Sequence, residues 1–370
     1  MNINDDYQIC ATCILDTSDP EIVFDEAGVC NYCRAYSLLD KSMRDQSANS
    51  EALDFEVSEI KRRSKGKYDC IIGLSGGVDS TYVAYLVKKV GLNPLAIHVD
   101  TGWNSEIAVA NIESLTKILE IDLETVVIDW KEMKSLQRSY FLASVPDCDV
   151  PQDHAFVAAL LHAASKYNIK TVISGHNNVT EYVLPPAWVY NSNDLSNMLD
   201  IHKRYEGVKL KTFPTVSTFK RTVYYRHVKG IRSFRILNYI NYIKEDVTQF
   251  IQSELGWNDY GGKHFESIFT KVFQAYYLPN KMGIDKRRAH LSNLIMSKQM
   301  DREKAVAIIS QLPCSKTELL EDVEFLKKKL GFSDDQWNAI MRSTPVSHKE
   351  FSSDFDKLWV RLALKILGKK

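Results

Sequence analysis

The chain has 370 residues, 45% of them hydrophobic, and its 47 Lys+Arg residues balance 47 Asp+Glu residues to a formal net charge of zero. This length exceeds one average domain and leaves ample apolar material for a core, while the charge balance disfavours nucleic acid or a membrane surface as a partner held by bulk charge. No run approaches eighteen apolar residues and the Met1–Asp6 start has neither a basic nor an apolar signal region, so a cytoplasmic protein without membrane contact is expected.

From the N-terminus, Cys10 and Cys13 form one C-x2-C knuckle and Cys30 and Cys33 a second, with 16 residues between them. Four thiolates close a tetrahedral site and leave no position for water, so the spacing predicts a structural zinc ribbon over residues 1–40. Between the knuckles, Glu21–Val29 reads as a strand, a turn and a return strand. The odd total of seven cysteines argues against a disulfide framework. Cys70, Cys148 and Cys314 are read as ordinary buried small residues. Residues 41–66 are assigned to a linker and leading helix, because Asp40–Phe55 is polar and lacks periodicity.

The apolar run Tyr68–Leu74 predicts a strand, and Ser75-Gly76-Gly77-Val78-Asp79-Ser80 carries it into a helix. Two adjacent glycines let the backbone come close to phosphate oxygens. The helix start adds free N–H groups and its positive dipole end, and Ser75 and Ser80 add hydroxyls. Asp79 is poorly placed against bare phosphate, which implies Mg²⁺. A turn that only reversed the chain would need neither the serines nor the aspartate. The turn lacks the GxxxxGK[ST] spacing of a Walker loop. It resembles instead the PP-loop of the ATP pyrophosphatase superfamily, in which SGGxDS grips the β,γ-pyrophosphate while AMP passes to a substrate oxygen.

Further strands are predicted at Pro94–Val99, Glu124–Ile128 and Lys170–Ser174. Helices are predicted between them, one burying Ile107, Ile112, Leu115 and Leu119 and another running from Asp153 to Tyr167. Strands alternating with helices make this an α/β chain with a parallel sheet over residues 67–235, and residues 236–370 read as a mostly helical region. Ligands in such sheets lie beyond the carboxyl ends of the strands. The expected nucleotide-binding set is therefore Leu74, Ser75, Gly76, Gly77, Val78, Asp79 and Ser80 after the first strand, His98, Val99 and Asp100 after the second, and Gly175 and His176 after the fourth. Asp100 is expected to bind the nucleoside or complete the metal shell, with a helix N-cap or solvated loop acid as the lesser alternative, and Asp153 reads as a helix cap. Lys263, beside the Gly261-Gly262 pair, is positioned to meet departing pyrophosphate or to serve as a surface lysine. Arg287 and Arg288 suit the phosphates of a nucleotide sugar or a solvated helix face.

Taken together, C-x2-C…C-x2-C, SGGVDS, SGHN, KHFES and YLPNKMGIDKRRAHLSNLI resemble the N-acetyl sugar amidotransferase family, and the likeness covers most of the chain. It implies an adenine nucleotide alpha hydrolase-like fold and ATP-dependent conversion of an acetamido to an acetamidino group in surface-polysaccharide or nonulosonic-acid biosynthesis. ATP, Mg²⁺ and zinc would be required. Asp79, Lys263 and Glu181 are the implied catalytic set, with Glu181 standing where the superfamily's GHxxxD-type motif carries a different acid. The family also implies partners resembling the glutaminase and cyclase subunits of imidazole glycerol phosphate synthase. No cysteine context resembling a glutaminase nucleophile occurs at Cys70, Cys148 or Cys314. Two rivals share features of the sequence: a tRNA-modifying PP-loop thiolase or lysidine synthetase, and a non-catalytic zinc-ribbon assembly protein.

Overall fold

The computed structural model describes residues 7–47, 50–263 and 265–360, so the Met1–Asp6 start and His264 of the KHFES motif lie outside it. Helix α2 (Ser50–Arg63) supplies the leading helix expected in residues 41–66, but α1 (Asn31–Ser47) and the start of α2 run through Asp40–Phe55, the part expected to be an irregular linker. That expectation failed because α2 needs only a narrow apolar face: Val57 and Ile60 alone are fully buried along it.

Five strands follow, β1 (Cys70–Gly73), β2 (Pro94–Asp100), β3 (Asp122–Val127), β4 (Thr171–Ile173) and β5 (Arg232–Phe234). All pair in parallel, in the order β3-β2-β1-β4-β5. Between them run α3 (Val78–Lys89), α4 (Glu106–Ile118), α5 (Trp130–Ala143), α6 (Val150–Lys166) and α7 (Leu195–Tyr205). Beyond β5 come α8 (Lys244–Leu255), α9 (Ile268–Val272), α10 (Arg287–Met296), α11 (Arg302–Ile309), α12 (Lys316–Leu330) and α13 (Asp334–Arg342). Lys220–Val228 and Phe273–Met282 form π-helical segments.

The central strands β1 and β2 are buried on both faces, as parallel strands are when covered by helices, whereas the edge strand β3 stays mostly exposed. Ile71 of β1 joins Leu95 and Ile97 in a core shared with α5, α6 and the C-terminal helices, whereas Cys70 and Ile72 point into a second core with α3 and α8. β5 had no sequence signal, since three residues with one buried side chain are too short for a pattern. On α4 the inward face is Ala108, Asn111, Ile112 and Leu115, and Ile107 is 42% exposed because it lies one residue off that stripe. Cys70 and Cys148 are buried as expected, but Cys314 is only half-buried, in the loop before α12.

β1 and β4 are neighbours although two strands separate them in sequence. The chain therefore leaves in opposite directions from their carboxyl ends, which opens a crevice between the Ser75–Ser80 turn and the Gly175–Asn177 turn.

Candidate active site

The Ser75–Ser80 turn is held from three sides. Gly76 has φ +82°, and a Cβ there would stand 2.6 Å from the Ala108 carbonyl oxygen of α4. The Trp257 indole donates to the Gly76 carbonyl at 2.8 Å. Within the turn, the Gly77 N–H donates to Ser75 Oγ at 3.2 Å and Ser80 Oγ donates to the Gly77 carbonyl at 3.1 Å. α3 begins immediately after Gly77, and no side chain caps it. Its first N–H groups thus face the crevice as anion donors. Gly76→Ala is expected to displace the turn, weakening ATP binding by roughly tenfold or more and lowering the melting temperature through backbone strain. Nucleotide titration and thermal melts of the variant check both effects.

A cavity of about 390 Å³ lies against this turn. Ser75, Gly77, Val78, Asp79 and Ser80 line one side, and Gly175, His176 and Glu181 another. Lys244 and Thr248 of α8, with the Trp257–Lys263 segment and Glu266, complete the wall. Glu181 sits between two donors, accepting from Lys263 Nζ at 3.1 Å and meeting His176 Nδ1 at 2.9 Å. The Tyr242 hydroxyl donates to Asp79. Burial raises the Asp79 carboxyl above its usual range, with Lys263 opposing and Glu181 reinforcing that shift. Burial likewise lowers Lys244 below the usual ammonium range.

This donor set fits its expected ligands. Two carboxylates and two serine hydroxyls are hard oxygen donors of the kind Mg²⁺ takes. Two lysines and an uncapped helix start suit the phosphates. Lys263 and Glu181, drawn together across 82 residues, meet Asp79 in one cavity.

The end of β2 is placed differently from the expectation. His98, Val99 and Asp100 are absent from the cavity wall, as are Leu74, which is buried before the turn, and Gly76, whose side of the turn packs on α4. His98 Nδ1 pairs with the Leu74 carbonyl at 2.9 Å, and its Nε2 with Asn104 Nδ2 at 3.0 Å. Asp100 accepts from the Gly102 N–H at 2.8 Å and from Asn104 at 3.1 Å. That loop in turn receives the cavity-lining segment, because Ser105 N–H donates to the Glu266 carbonyl at 2.8 Å. The β2 end therefore positions the wall without forming it.

Arg287 and Arg288 do not serve a phosphate site. Arg288 bridges to the N-terminal segment, pairing with Asp16 at 2.9 Å and donating to the Ile14 carbonyl at 2.9 Å. Arg287 pairs with Asp285 at 2.7 Å and donates to the Gln311 carbonyl at 2.7 Å. Both guanidinium forks are filled by the protein's own acceptors. Asp153 is not a helix cap either, since α6 begins at Val150 and Asp149 takes the cap position.

Sequence reasoning missed Tyr242, Lys244, Trp257, Tyr260 and Glu266. Glu266 stands in the KHFES motif but was given no role there, and the others sit in no recognisable spacing: Lys244 enters the cavity on α8, Trp257, Tyr260 and Glu266 on the segment after it, and Tyr242 bonds Asp79 from just before it.

At the other end of the chain, the four expected sulfurs converge to within 4.8 Å of one another. Cys10–Cys33 and Cys13–Cys30 separations are 3.9 and 3.8 Å. A tetrahedral zinc with bonds of about 2.3 Å sets its sulfurs about 3.8 Å apart, so the cluster fits. The N–H groups of Cys13 and Cys33 point at the Cys10 and Cys30 sulfurs. The expected strand pair between the knuckles is reduced to one antiparallel bridge, Phe24 with Cys30.

Residues 51–184 match the family model for NAD synthase, and residues 266–364 match the one described as LPS biosynthesis protein WbpG-like, C-terminal domain. Among curated proteins, an uncharacterized protein of Methanocaldococcus jannaschii is 30% identical over 129 residues, covering 34% of this chain and 44% of that protein. The glutamine-hydrolyzing GMP synthase of Thermosipho africanus is 27% identical over 217 residues, covering 57% of this chain and 37% of that protein. A tRNA-specific 2-thiouridylase of Fusobacterium nucleatum is 33% identical over 121 residues, 30% of this chain and 34% of that enzyme. The chain thus spans less than half the length of these relatives. Among solved structures, NMN synthetase from Francisella tularensis aligns with a TM-score of 0.38 at 17% identity, covering 75% of this chain and 91% of that one. The NH3-dependent NAD synthetase of Campylobacter jejuni aligns with a TM-score of 0.32 at 15% identity, covering 72% and 96%.

Proposed function

We propose that this chain, a PP-loop protein with a WbpG-like C-terminal domain, is an ATP-dependent, AMP-forming amidotransferase. Its substrate would be an N-acetyl sugar, nucleotide-linked or a nonulosonic acid, whose acetamido group becomes an acetamidino group. The observation that carries the nucleotide chemistry is the cavity: an uncapped helix start and serine hydroxyls on one side, Lys244 and Lys263 on the other, with Asp79 and Glu181 between. The sugar acceptor rests on the WbpG-like match and on the family resemblance of the sequence.

An amide is a weak electrophile with a poor oxygen leaving group. In the proposed reaction the acetamido oxygen attacks the α-phosphorus of ATP, an O–P bond forms, and the bond to the β-phosphate breaks to release pyrophosphate. The helix start, Ser75, Ser80 and the two lysines stabilise the charge on that leaving group. Mg²⁺, held by Asp79 with Glu181 nearby, would neutralise phosphate charge. Ammonia then adds to the activated carbon, the C–O bond breaks with departure of AMP, and loss of a proton leaves the amidine. Glutaminase and cyclase-like subunits resembling those of imidazole glycerol phosphate synthase would supply the ammonia, in the cytoplasm.

The test incubates the purified chain with Mg-ATP, ammonium and a series of N-acetyl sugars. AMP, pyrophosphate and a product in which NH replaces O are expected. AMP formed with tRNA, and with none of the sugars, would replace this reading by the tRNA-modifying one.

A further inference from the structure

The segment between α8 and α9 passes over the Ser75–Ser80 turn as a strap pinned at both ends. At its start the Trp257 indole holds the Gly76 carbonyl, and the buried Asn111 of α4 clamps Asn258 twice, donating to its carbonyl and accepting from its N–H at 2.8 Å each. At its end the Glu266 carbonyl accepts from the Ser105 N–H at 2.8 Å, Ser267 bridges to Asn104, and the Ile268 N–H donates to the Trp103 carbonyl at 3.0 Å. Neither end lifts without breaking hydrogen bonds of the main chain. The strap therefore delivers its side chains to fixed places.

Two of those side chains arrive at Gly77. The space that a Cβ on Gly77 would take is bounded by Ser75 Oγ and the Tyr260 hydroxyl, each at 3.2 Å, and by Glu266 Oε1 at 3.5 Å. The Tyr260 hydroxyl is hydrogen-bonded to the Glu266 carboxylate, and burial together with that charge raises its pKa above the usual phenol range. Tyr260 thus fixes Glu266 without adding charge of its own. Glu266 Oε2 is shut off from solvent, so the field of the carboxylate is weakly screened.

This placement opposes the use of the turn. A glycine at position 77 lets phosphate come close to the backbone at the start of α3, yet a carboxylate stands against the same glycine and lines the same cavity. Two anions a few ångströms apart in a shielded site repel one another unless a cation offsets them. A side chain kept there for packing alone would cost less if neutral. The charge is useful where it discriminates between ligands: phosphate that carries Mg²⁺ has part of its charge neutralised, and bare phosphate has not.

We propose that Glu266 is a selectivity residue of the pyrophosphate site, turning away phosphates that arrive without Mg²⁺. This rests on the nucleotide half of the proposed function and is independent of the sugar. The test uses the full chain with Glu266→Gln, which removes the charge but keeps an acceptor for Tyr260, and with Glu266→Ala. The anchor to Ser105 is main chain and survives both, and the isosteric Glu266→Gln keeps the test open should Glu266→Ala fail to fold. Inorganic pyrophosphate and ATP are titrated by calorimetry in EDTA and again in saturating Mg²⁺, with adenosine as the uncharged control. Without Mg²⁺ each variant should bind pyrophosphate and ATP roughly tenfold or more tightly than the wild type, while affinities in Mg²⁺ stay within about threefold and adenosine is unaffected. Unchanged metal-free affinity would overturn the assignment. So would a loss of affinity in Mg²⁺ with the metal-free value unmoved, which marks a metal ligand, or a gain shared equally by adenosine, which marks a widened cavity. ATP bound alike by all three proteins would remove this role and leave the nucleotide site standing. Neither pyrophosphate nor ATP bound by any of them in Mg²⁺ would remove the nucleotide reading and this role with it.

Discussion

Asp79→Asn is expected to lower AMP formation on the order of 100-fold or more while leaving the melting temperature close to that of the wild type. Asparagine keeps the shape and an oxygen able to accept from Tyr242, so the contact to α8's approach segment survives. What disappears is the charge. In the native cavity that charge sits among Lys263, Glu181 and Lys244, in a place where burial already disfavours it. A fold gains nothing by placing a carboxylate there unless a cation completes it. The variant should also lose the Mg²⁺ dependence of ATP affinity, which titration at several Mg²⁺ concentrations measures. Activity within twofold of wild type would remove Asp79 from the metal site.

The second large effect is expected from the cysteine cluster. Cys13→Ser, or removal of the metal by a chelator, should lower stability by several kcal/mol, given that structural zinc contributes about 10–16 kcal/mol in isolated finger peptides. The consequence should reach beyond the ribbon. Arg302 of α11 donates to the carbonyls of Cys13 and Cys10, both at 3.1 Å, and Ser292 of α10 receives the Ile14 N–H at 3.2 Å. Ile14 packs with Leu291 and Ala305 between the same two helices. Asn293 of α10 in turn clamps Val183 through both its N–H and its carbonyl, at 2.8 Å each. Val183 is two residues from Glu181, so loss of the metal should loosen the Glu181–Lys263 pair while the β1 turn, held by Trp257 and α4, retains ATP. Metal analysis, thermal melts and ATP titration of the stripped protein test this together. Unchanged stability with the cysteines replaced would show that the ribbon does not clamp these helices.

How legible each part was depends on how local its physics is. The two cysteine knuckles and the Ser75–Ser80 turn are short-range objects: within each, the residues lie a few positions apart, and the repeat of the knuckle 16 residues on marks the cluster without help from the rest of the fold. The parallel sheet was legible for a related reason, since β1 and β2 are apolar runs long enough to carry a pattern. α1 and the start of α2 were not, because helices that bury one narrow stripe look polar in sequence.

By itself, then, the sequence determined the thiolate cluster, the anion-binding turn and the α/β order of the central region. Tertiary packing alone decided what faces the turn. Lys244 enters the cavity, and Tyr242 reaches Asp79, because α8 lies on α3, and Lys263 enters because the β2 end holds the segment that carries it. The same packing turned Arg287 and Arg288 toward α11 and the ribbon, and Lys286 inward, against the Phe273 ring. On a helix start each residue is rotated about 100° from the next. Three adjacent cations therefore point in three directions, and what each one meets is settled only by what its direction contains.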